Sequence, residues 1–408
     1  MPLNYLEIQK QIDEFGDYAA ANVQDTQDAL THLRKLLDDY AERQSEVCGR
    51  VNLTREKHTS LRCAAPVDDR LNQIYDSAEI DVPNLCLVAS DGSQIFPDSH
   101  GAVNYGVVNT GLLVMKTNCA DKPDVFTETQ MYYPGTPPFD KMELTEDMIS
   151  FLRDVDERCL LSEKLVEVRK QHAYQNGGEL PLVLALTDGP LDLFTKPGNE
   201  GLQTRRLFDE YLDALLQVYS AESLIAGYIE RPRASMLVRT LEIMDTAEDL
   251  LTRKGQLERQ YPGVSDIMLF AHLLKPGQRT GIFRLISNNE SNYSKKDPML
   301  GLHFFYLNVG YSLRNGTPLN VFARVEIPSW IAKDTGKVEI IHKVLLEQSR
   351  MLGTSPYPYL LHRAHETALV SFAEKDEIDR MIISQLLAKG IAVDTTTQKS
   401  ANKRSSRS

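Results

Sequence analysis

Two aspartates in this chain stand in almost the same frame, Asp91 in LCLVASDGSQIF and Asp188 in LVLALTDGPLDLF. Each follows an apolar run with strand character and is followed at once by glycine. A buried strand ending in Asp-Gly delivers one acid to the rim of a sheet, and two such strands bring their acids together only as neighbours. Paired acids at strand ends suit hard divalent cations such as Mg²⁺ and Mn²⁺, which take oxygen ligands. Phosphodiester hydrolysis is the chemistry such a pair would serve. Water must be activated and charge on the leaving oxygen neutralised, and two cations ~3.5–4 Å apart do both. On this reading Asp91 bridges the metals and Asp188 is the second acid. Gly92 turns the chain beneath the site, and Ser93 hydrogen-bonds a carboxylate or phosphate. Asp-Gly is also an ordinary turn after a strand, so further ligands are needed to give the pair weight.

A third acid is expected from the long helical segment between the two strands, where Asp154, Glu157, Glu163 and Glu167 are the candidates. Glu157 shares a helix face with Arg153 and Leu160, although any of these acids could equally be a solvated surface residue. The segment PYPYLLHRAHE, residues 356–366, gathers Tyr357, Tyr359, His362 and His365. Its prolines hold the first half extended and its second half opens a helix. His365 could ligate a metal or relay a proton. Tyr357 could position a phosphate or stack on a base. Packing aromatics and a helix cap are the plainer use of the same residues. Basic side chains collect between residues 204 and 296. Arg231 and Arg233 directly follow the strand SLIAGYIE, where phosphate contact competes with simple scatter over helix surfaces.

The elements that must position these residues form a soluble-type chain of 408 residues, 42% hydrophobic and 25% charged. At roughly 150 residues per domain this allows two or three domains or one large α/β body. The net charge of −12 means that any nucleic-acid contact must use a local basic patch. Five cysteines, none in CxxC spacing, argue against a disulfide framework and a zinc site. No secretory signal and no apolar run of membrane-spanning length are present, and a cytoplasmic protein is expected.

Residues 4–45 read as one long helix, with Ile8, Ile12, Phe15, Ala19 and Val23 at three- and four-residue steps before Leu30, Leu33, Leu37 and Tyr40 resume the stripe. It either packs on its own domain or forms a dimerising arm. LCLVAS is a strand, DGSQ a turn, and 103–116 a long β-rich segment suggesting an antiparallel pair. A helix over 144–168 precedes the strand LVLALT. The spacing predicts helices over 201–220, 337–351 and 363–388, with strands around TGIFRLIS, HFFYLNVG and NVFARVEIPSW. The tail 395–408 is basic and poor in apolar residues. Strands alternating with helices after an antiparallel start indicate an α/β fold with a mixed sheet flanked by helices. The domain reading is a helical extension over 1–80, a catalytic domain over 81–393 and a tail over 394–408. No P-loop, no GxGxxG after a strand and no GxSxG elbow is found.

Five segments, VASDGSQIFPD, ALTDGPLDLF, AGYIERP, ARVEIPSW and YPYLLHRAHE, occur in an order that resembles the NurA nuclease family, especially its longer bacterial members. The resemblance spans roughly residues 85–385. It implies an RNase H-like fold, a homodimer and a manganese-dependent DNA nuclease, with magnesium as the alternative ion. It also implies cleavage of single strands, 5′-to-3′ resection of duplex ends, and work alongside a hexameric HerA-type ATPase. The family's acids carry over to Asp91 and Asp188 and less securely to Glu157, and its Tyr and His to Tyr357 and His365. The stretch 170–181 departs from the family pattern, which leaves Glu163 and Glu167 as rivals for the helix acid. A catalytically inactive DNA-binding or assembly subunit of an ATPase complex is the other reading, and an RNA-directed nuclease a third.

Overall fold

The computed structural model describes residues 3–77, 84–98, 103–117, 121–140, 142–175, 182–193, 201–253, 257–313, 315–353 and 355–392. The chain divides into two compact units, one of residues 1–80 and 228–346, the other of 81–227 and 347–408. The first unit opens with α1 (Tyr5–Asp39), α2 (Gln44–Lys57), β1 (Cys63–Pro66) and β2 (Ile74–Tyr75). The second supplies β3 (Leu85–Ile95), β4 (Gly106–Lys116), β5 (Asp124–Tyr132), α3 (Glu146–Gln175), β6 (Leu182–Asp188), α4 (Leu202–Ser220) and β7 (Leu224–Glu230), in which the boundary falls. The first resumes with α5 (Met236–Asp245), α6 (Glu248–Leu251), α7 (Asp266–Phe270), β8 (Arg279–Thr280), β9 (Phe283–Ile286) and α8 (Glu290–Lys296). After a 3₁₀ turn at Pro298–Leu300 come β10 (Leu302–Asn308), β11 (Tyr311–Ser312), β12 (Pro318–Leu319), β13 (Phe322–Pro328), α9 (Ser329–Ala332) and α10 (Thr335–Arg350). The chain returns to the second unit within α10, at Glu347, and continues there as α11 (Tyr359–Ala368) and α12 (Phe372–Ala388).

In the first unit β10 pairs antiparallel with both β9 and β13, and β1 pairs antiparallel with β9. Phe270, Phe283, Phe304 and Tyr306 stack there as a fully buried aromatic column. Residues 1–80 are therefore more than the helical extension expected. Two short strands within them join this unit, β1 on β9 and β2 on β8. Cys-Ala-Ala-Pro has neither alternation nor β-branched residues, so nothing in its pattern announces a strand.

The second unit carries the candidate site. Its strands run in the order β5-β4-β3-β6-β7. β3, β4 and β5 form an antiparallel meander, and β6 lies parallel to β3, reached through α3. This is the mixed α/β arrangement of an RNase H-like sheet. Thr145 starts α3 by accepting from the Met148 N–H at 3.3 Å. α3 buries Ile149, Leu152, Val155, Leu161 and Leu165.

The two helices that matter lie against opposite faces of the sheet. A Cβ at Gly92 would meet Arg153 and Glu157 of α3, whereas Ser93 and Asn109 hydrogen-bond the end of α11. Alternation along the strand accounts for this, since neighbouring residues point to opposite faces. The helix expected over 363–388 is two helices. Ser371 breaks it, forming a capping box with Glu374 that starts α12 afresh. The tail 394–408 lies outside the described residues.

Candidate active site

β3 does not turn at DGSQ. It continues through Asp91, Gly92, Ser93 and Gln94 to Ile95, paired with β4 throughout. Its parallel partner β6 stops earlier. The last register pair is Ser90 with Thr187, and β6 ends one residue later at Asp188. Asp91 and Asp188 are therefore the next residues on adjacent parallel strands, whose backbones lie ~4.8 Å apart. Beyond them β3 runs past the end of its neighbour. The neighbourhood that the two aspartates need is thus present, with Asp91 buried at 8% exposure and Asp188 exposed.

Gly92 works differently from a turn residue. A Cβ there would sit 2.6 Å from Glu157 Oε1 and 2.6 Å from Arg153 Cγ. The missing side chain is what lets α3 bring a carboxylate down onto the strand next to Asp91. Ser93 is likewise occupied with structure. Its hydroxyl donates to the Ala368 carbonyl at 2.5 Å and accepts from the Val370 N–H at 3.1 Å, so it closes the end of α11 and does not face a phosphate.

Of the four helix acids, Glu157 is the one turned inward, at 5% exposure. Glu163 and Glu167 are exposed, and Glu167 pairs with Lys164 at 2.6 Å. Asp154 holds Arg153 at 2.7 Å. Among the described residues Glu157 lies 3.9 Å from Arg153, and the Arg158 charge also acts on it. Burial pushes its carboxyl up to about 8, and the neighbouring Asp154 and Asp91 carboxylates push the same way. Arg153 reaches back to Gln94 Oε1 at 3.0 Å, bracing α3 against β3.

α11 supplies the remaining group. His365 Nδ1 lies 2.6 Å from Asp91 Oδ2, while Asp91 Oδ1 accepts from the Gly92 N–H at 2.9 Å. A carboxylate can only accept, so Nδ1 carries a proton and Nε2 is the ring atom left to act as a base or ligand. α11 is fixed at both ends. The Leu360 N–H donates to Gln348 Oε1 at 3.0 Å, and Ser93 and Asn109 both donate to the Ala368 carbonyl. Tyr357 is half-buried two residues before α11 begins. His365 stands a further ~9 Å along the axis from Tyr359, so Tyr357 belongs to the other end of the helix. His362 faces Glu366 at 3.5 Å.

Asp91 is thus paired with His365 on the α11 face, Glu157 reaches Gly92 from the α3 face and feels the Asp91 charge, and Asp188 stands on the next strand. Three carboxylates and an imidazole form an oxygen-rich donor set that fits a hard divalent cation. At Glu157, a buried carboxylate beside the Asp154 and Asp91 charges, a metal charge would offset repulsion. Among the described residues, no three acid, histidine or cysteine side chains already converge on one point as a metal cage.

The basic residues divide. Arg231 and Arg233 are exposed and belong to the first unit, and Arg231 lies 3.4 Å from Glu230. Arg239 and Arg279, from the same basic stretch, are buried in ion pairs with Glu242 and Glu339 and are unavailable to a ligand. Two positions the motifs did not single out are Asn109 and Gly111 of β4. The available signal was a glycine inside a strand-like run, a mark of close backbone approach.

The model of the NurA domain matches residues 87–370, which contain all these side chains. The chain belongs to the NurA family. That membership supports a nuclease. Among solved structures, the NurA nuclease from Sulfolobus solfataricus is 14% identical at a TM-score of 0.46, over 87% of this chain and 98% of that one. The catalytic domain of human Endonuclease V is 13% identical at a TM-score of 0.30, over 84% and 98%. Both superpositions are loose. No curated protein matches the chain. No helix among the described residues is long and apolar enough to cross a membrane.

The acid cluster gives this NurA protein a defined pH dependence. An unfolded Glu157 ionises near 4.5, whereas the folded, metal-free protein keeps its proton to about 8. Across that window the folded state binds the extra proton, so stability falls as pH rises. Urea titrations of metal-free protein at pH 5 and pH 8 are expected to show a larger loss for wild type than for Glu157→Gln. An equal loss would show that Glu157 is ionised throughout.

Proposed function

We propose that this protein is a metal-dependent DNA nuclease that trims DNA ends, the reading carried by the Asp91–His365 pair beside Glu157 and Asp188. Asp91, Glu157, Asp188 and His365 would hold two divalent ions, manganese in the first instance and magnesium as the alternative. The ions would supply charge to the scissile phosphate and lower the pKa of the attacking water. Every other step falls to the chain itself. Asp91 fixes the His365 ring through Nδ1, leaving Nε2 either to hold an ion or, where it does not, to take a proton from water or return one to the leaving oxygen. Gly92 admits Glu157 to the strand, and α3 holds it there through Arg153 and Gln94. Tyr357 positions the phosphate backbone from the entry of α11. Arg231 and Arg233 contact DNA phosphates in a sequence-independent way.

Single-strand cleavage, 5′-to-3′ degradation, a HerA-type ATPase partner, a homodimer and a cytoplasmic role in repair complete the proposal. The missing P-loop is consistent with a separate motor chain. The test uses purified full-length protein, Mn²⁺ and end-labelled single-stranded DNA, with matched RNA beside it. Cleavage of DNA that stops on chelation is expected. Cleavage that persists in EDTA would sink the metal assignment. Bound but uncut DNA, with no Mn²⁺ uptake, would favour an inactive assembly subunit.

A further inference from the structure

Two side chains of α3 share the space that Gly92 leaves open. One is Glu157. The other is Arg153, whose Cγ and Cδ lie 2.6 and 3.1 Å from where a Cβ on Gly92 would stand. The arginine stem is therefore seated against β3, and its guanidinium stands beside Glu157. Its Nη2 and Nε donate to Asp154 Oδ1 at 2.7 and 3.1 Å, and its Nη1 donates to Gln94 Oε1 at 3.0 Å. Its Nε lies 3.9 Å from Glu157 Oε1. The charges of Asp154, Glu157 and Asp91 all act on it. Arg158, one residue after Glu157, is committed to β6 and α4. It is buried and donates to Thr187 Oγ1 at 3.0 Å and to the Tyr211 hydroxyl at 3.3 Å.

We infer that Arg153 is a resident counter-cation that competes with the metal for Glu157 and so sets how much metal the site requires. The inference rests on the metal-dependent reading above and adds a residue that regulates the site. A brace from α3 to Gln94 needs only a hydrogen-bond donor, which a neutral amide supplies. A positive charge seated beside a buried carboxylate does something a neutral brace does not. It offsets the repulsion between Glu157 and the Asp154 and Asp91 charges, and holds Glu157 against the strand before an ion arrives.

A divalent ion entering at Glu157 meets this charge and must offset it or turn it away. The way out is open. Asp154, which holds two of the guanidinium nitrogens, is itself 40% exposed, so the group can turn toward solvent and keep that partner. A brace and a counter-cation then predict opposite signs. Losing a brace loosens Glu157 and weakens metal binding. Losing a competing charge tightens it, and one unit charge this close to a partly shielded site changes the affinity for a cation by about tenfold or more.

Mn²⁺ uptake by the full chain without DNA, followed by the electron paramagnetic resonance of the free ion, tests the inference. Arg153→Gln is expected to bind Mn²⁺ about tenfold more tightly than wild type. Arg153→Lys keeps the charge and should bind as wild type does. Lys164→Gln removes an equal charge ~16 Å further along α3, beyond a screening length of ~8 Å, and should also bind as wild type. Asp154→Asn, at a partly exposed side chain, leaves Arg153 to Glu157 and is expected to weaken uptake, so the sign is still read if Arg153→Gln does not fold. Uptake by Arg153→Gln that equals or falls below wild type would overturn the inference, as would unchanged or tighter uptake by Asp154→Asn. Mn²⁺-dependent cleavage by wild type beside such a result would leave the nuclease reading intact. No uptake by any of these proteins would sink the metal assignment and the inference with it.

Discussion

Asp91→Ala is expected to lower DNA cleavage by about 10³-fold or more while leaving the protein as stable as wild type, or slightly more so. The two effects separate because Asp91 sits at a point of electrostatic conflict. Its carboxylate is 8% exposed and, after burial itself and the Asp154 charge, opposes the ionisation of Glu157. Removing it relieves that repulsion in the metal-free protein. The cost in packing is small, because the His365 ring it orients is itself more than half exposed. In the working enzyme the balance reverses. Loss of the central ligand forfeits several kcal/mol of charge stabilisation, and each 1.36 kcal/mol is tenfold in rate. The His365 ring loses the hydrogen bond that sets its tautomer and aim. Single-turnover cleavage in Mn²⁺ beside a thermal melt in EDTA checks both halves. Wild-type cleavage by Asp91→Ala would remove Asp91 from the site. A collapsed melting temperature would mean the residue is structural.

The acids were legible in the sequence for a simple reason. An apolar run with a terminal aspartate is a pattern of types, and the parallel pairing of β3 with β6 follows from a helix between two buried strands. The way the chain uses Asp-Gly-Ser was not legible. Gly92 reads as a turn because turns are the common use of Asp-Gly. In the fold it is an absent side chain, and what fills the gap is Glu157, 65 positions later in the chain (157 − 92). Ser93 reads as a phosphate contact but spends its hydroxyl on α11. The exposed strand β5 was missed because Asp-Val-Phe-Thr-Glu-Thr-Gln lacks a buried face to give alternation. Each of these depends on what lies across space, which residue spacing along one strand does not contain. The choice among four helix acids has the same origin. All four are spaced for a helix, and only the packing of α3 on Gly92 separates Glu157 from the rest.

Gly111→Ala should produce the largest combined loss of stability and activity of any single methyl group added near the site. Gly111 lies directly opposite Asp91 in the β3–β4 pair, on the face covered by α11. An alanine Cβ would fall 2.6 Å from the Ala368 nitrogen and 2.9 Å from the Ala364 oxygen. Both are backbone atoms, so no rotamer change relieves the clash and the helix must move. It is not free to do so. Gln348 holds its first turn, and Ser93 and Asn109 hold its last carbonyl. Overpacking of this kind costs ~1–3 kcal/mol, and at ~2–4 °C per kcal/mol for a unit of this size the melting temperature should drop several degrees. The same displacement lifts His365 from its 2.6 Å contact with Asp91. A shift of ~1 Å at a catalytic group can cost 10²-fold in rate. Gly16→Ala is the control, since nothing lies within 4 Å of a Cβ there and an alanine in an exposed helix favours folding. Calorimetry and cleavage assays on both variants decide the matter. A Gly111→Ala protein that melts and cleaves like wild type would mean that α11 is not seated on β4 as described. A protein that loses stability but keeps its rate would show instead that His365 can be displaced without harm, and would take the Asp91–His365 pair out of the mechanism.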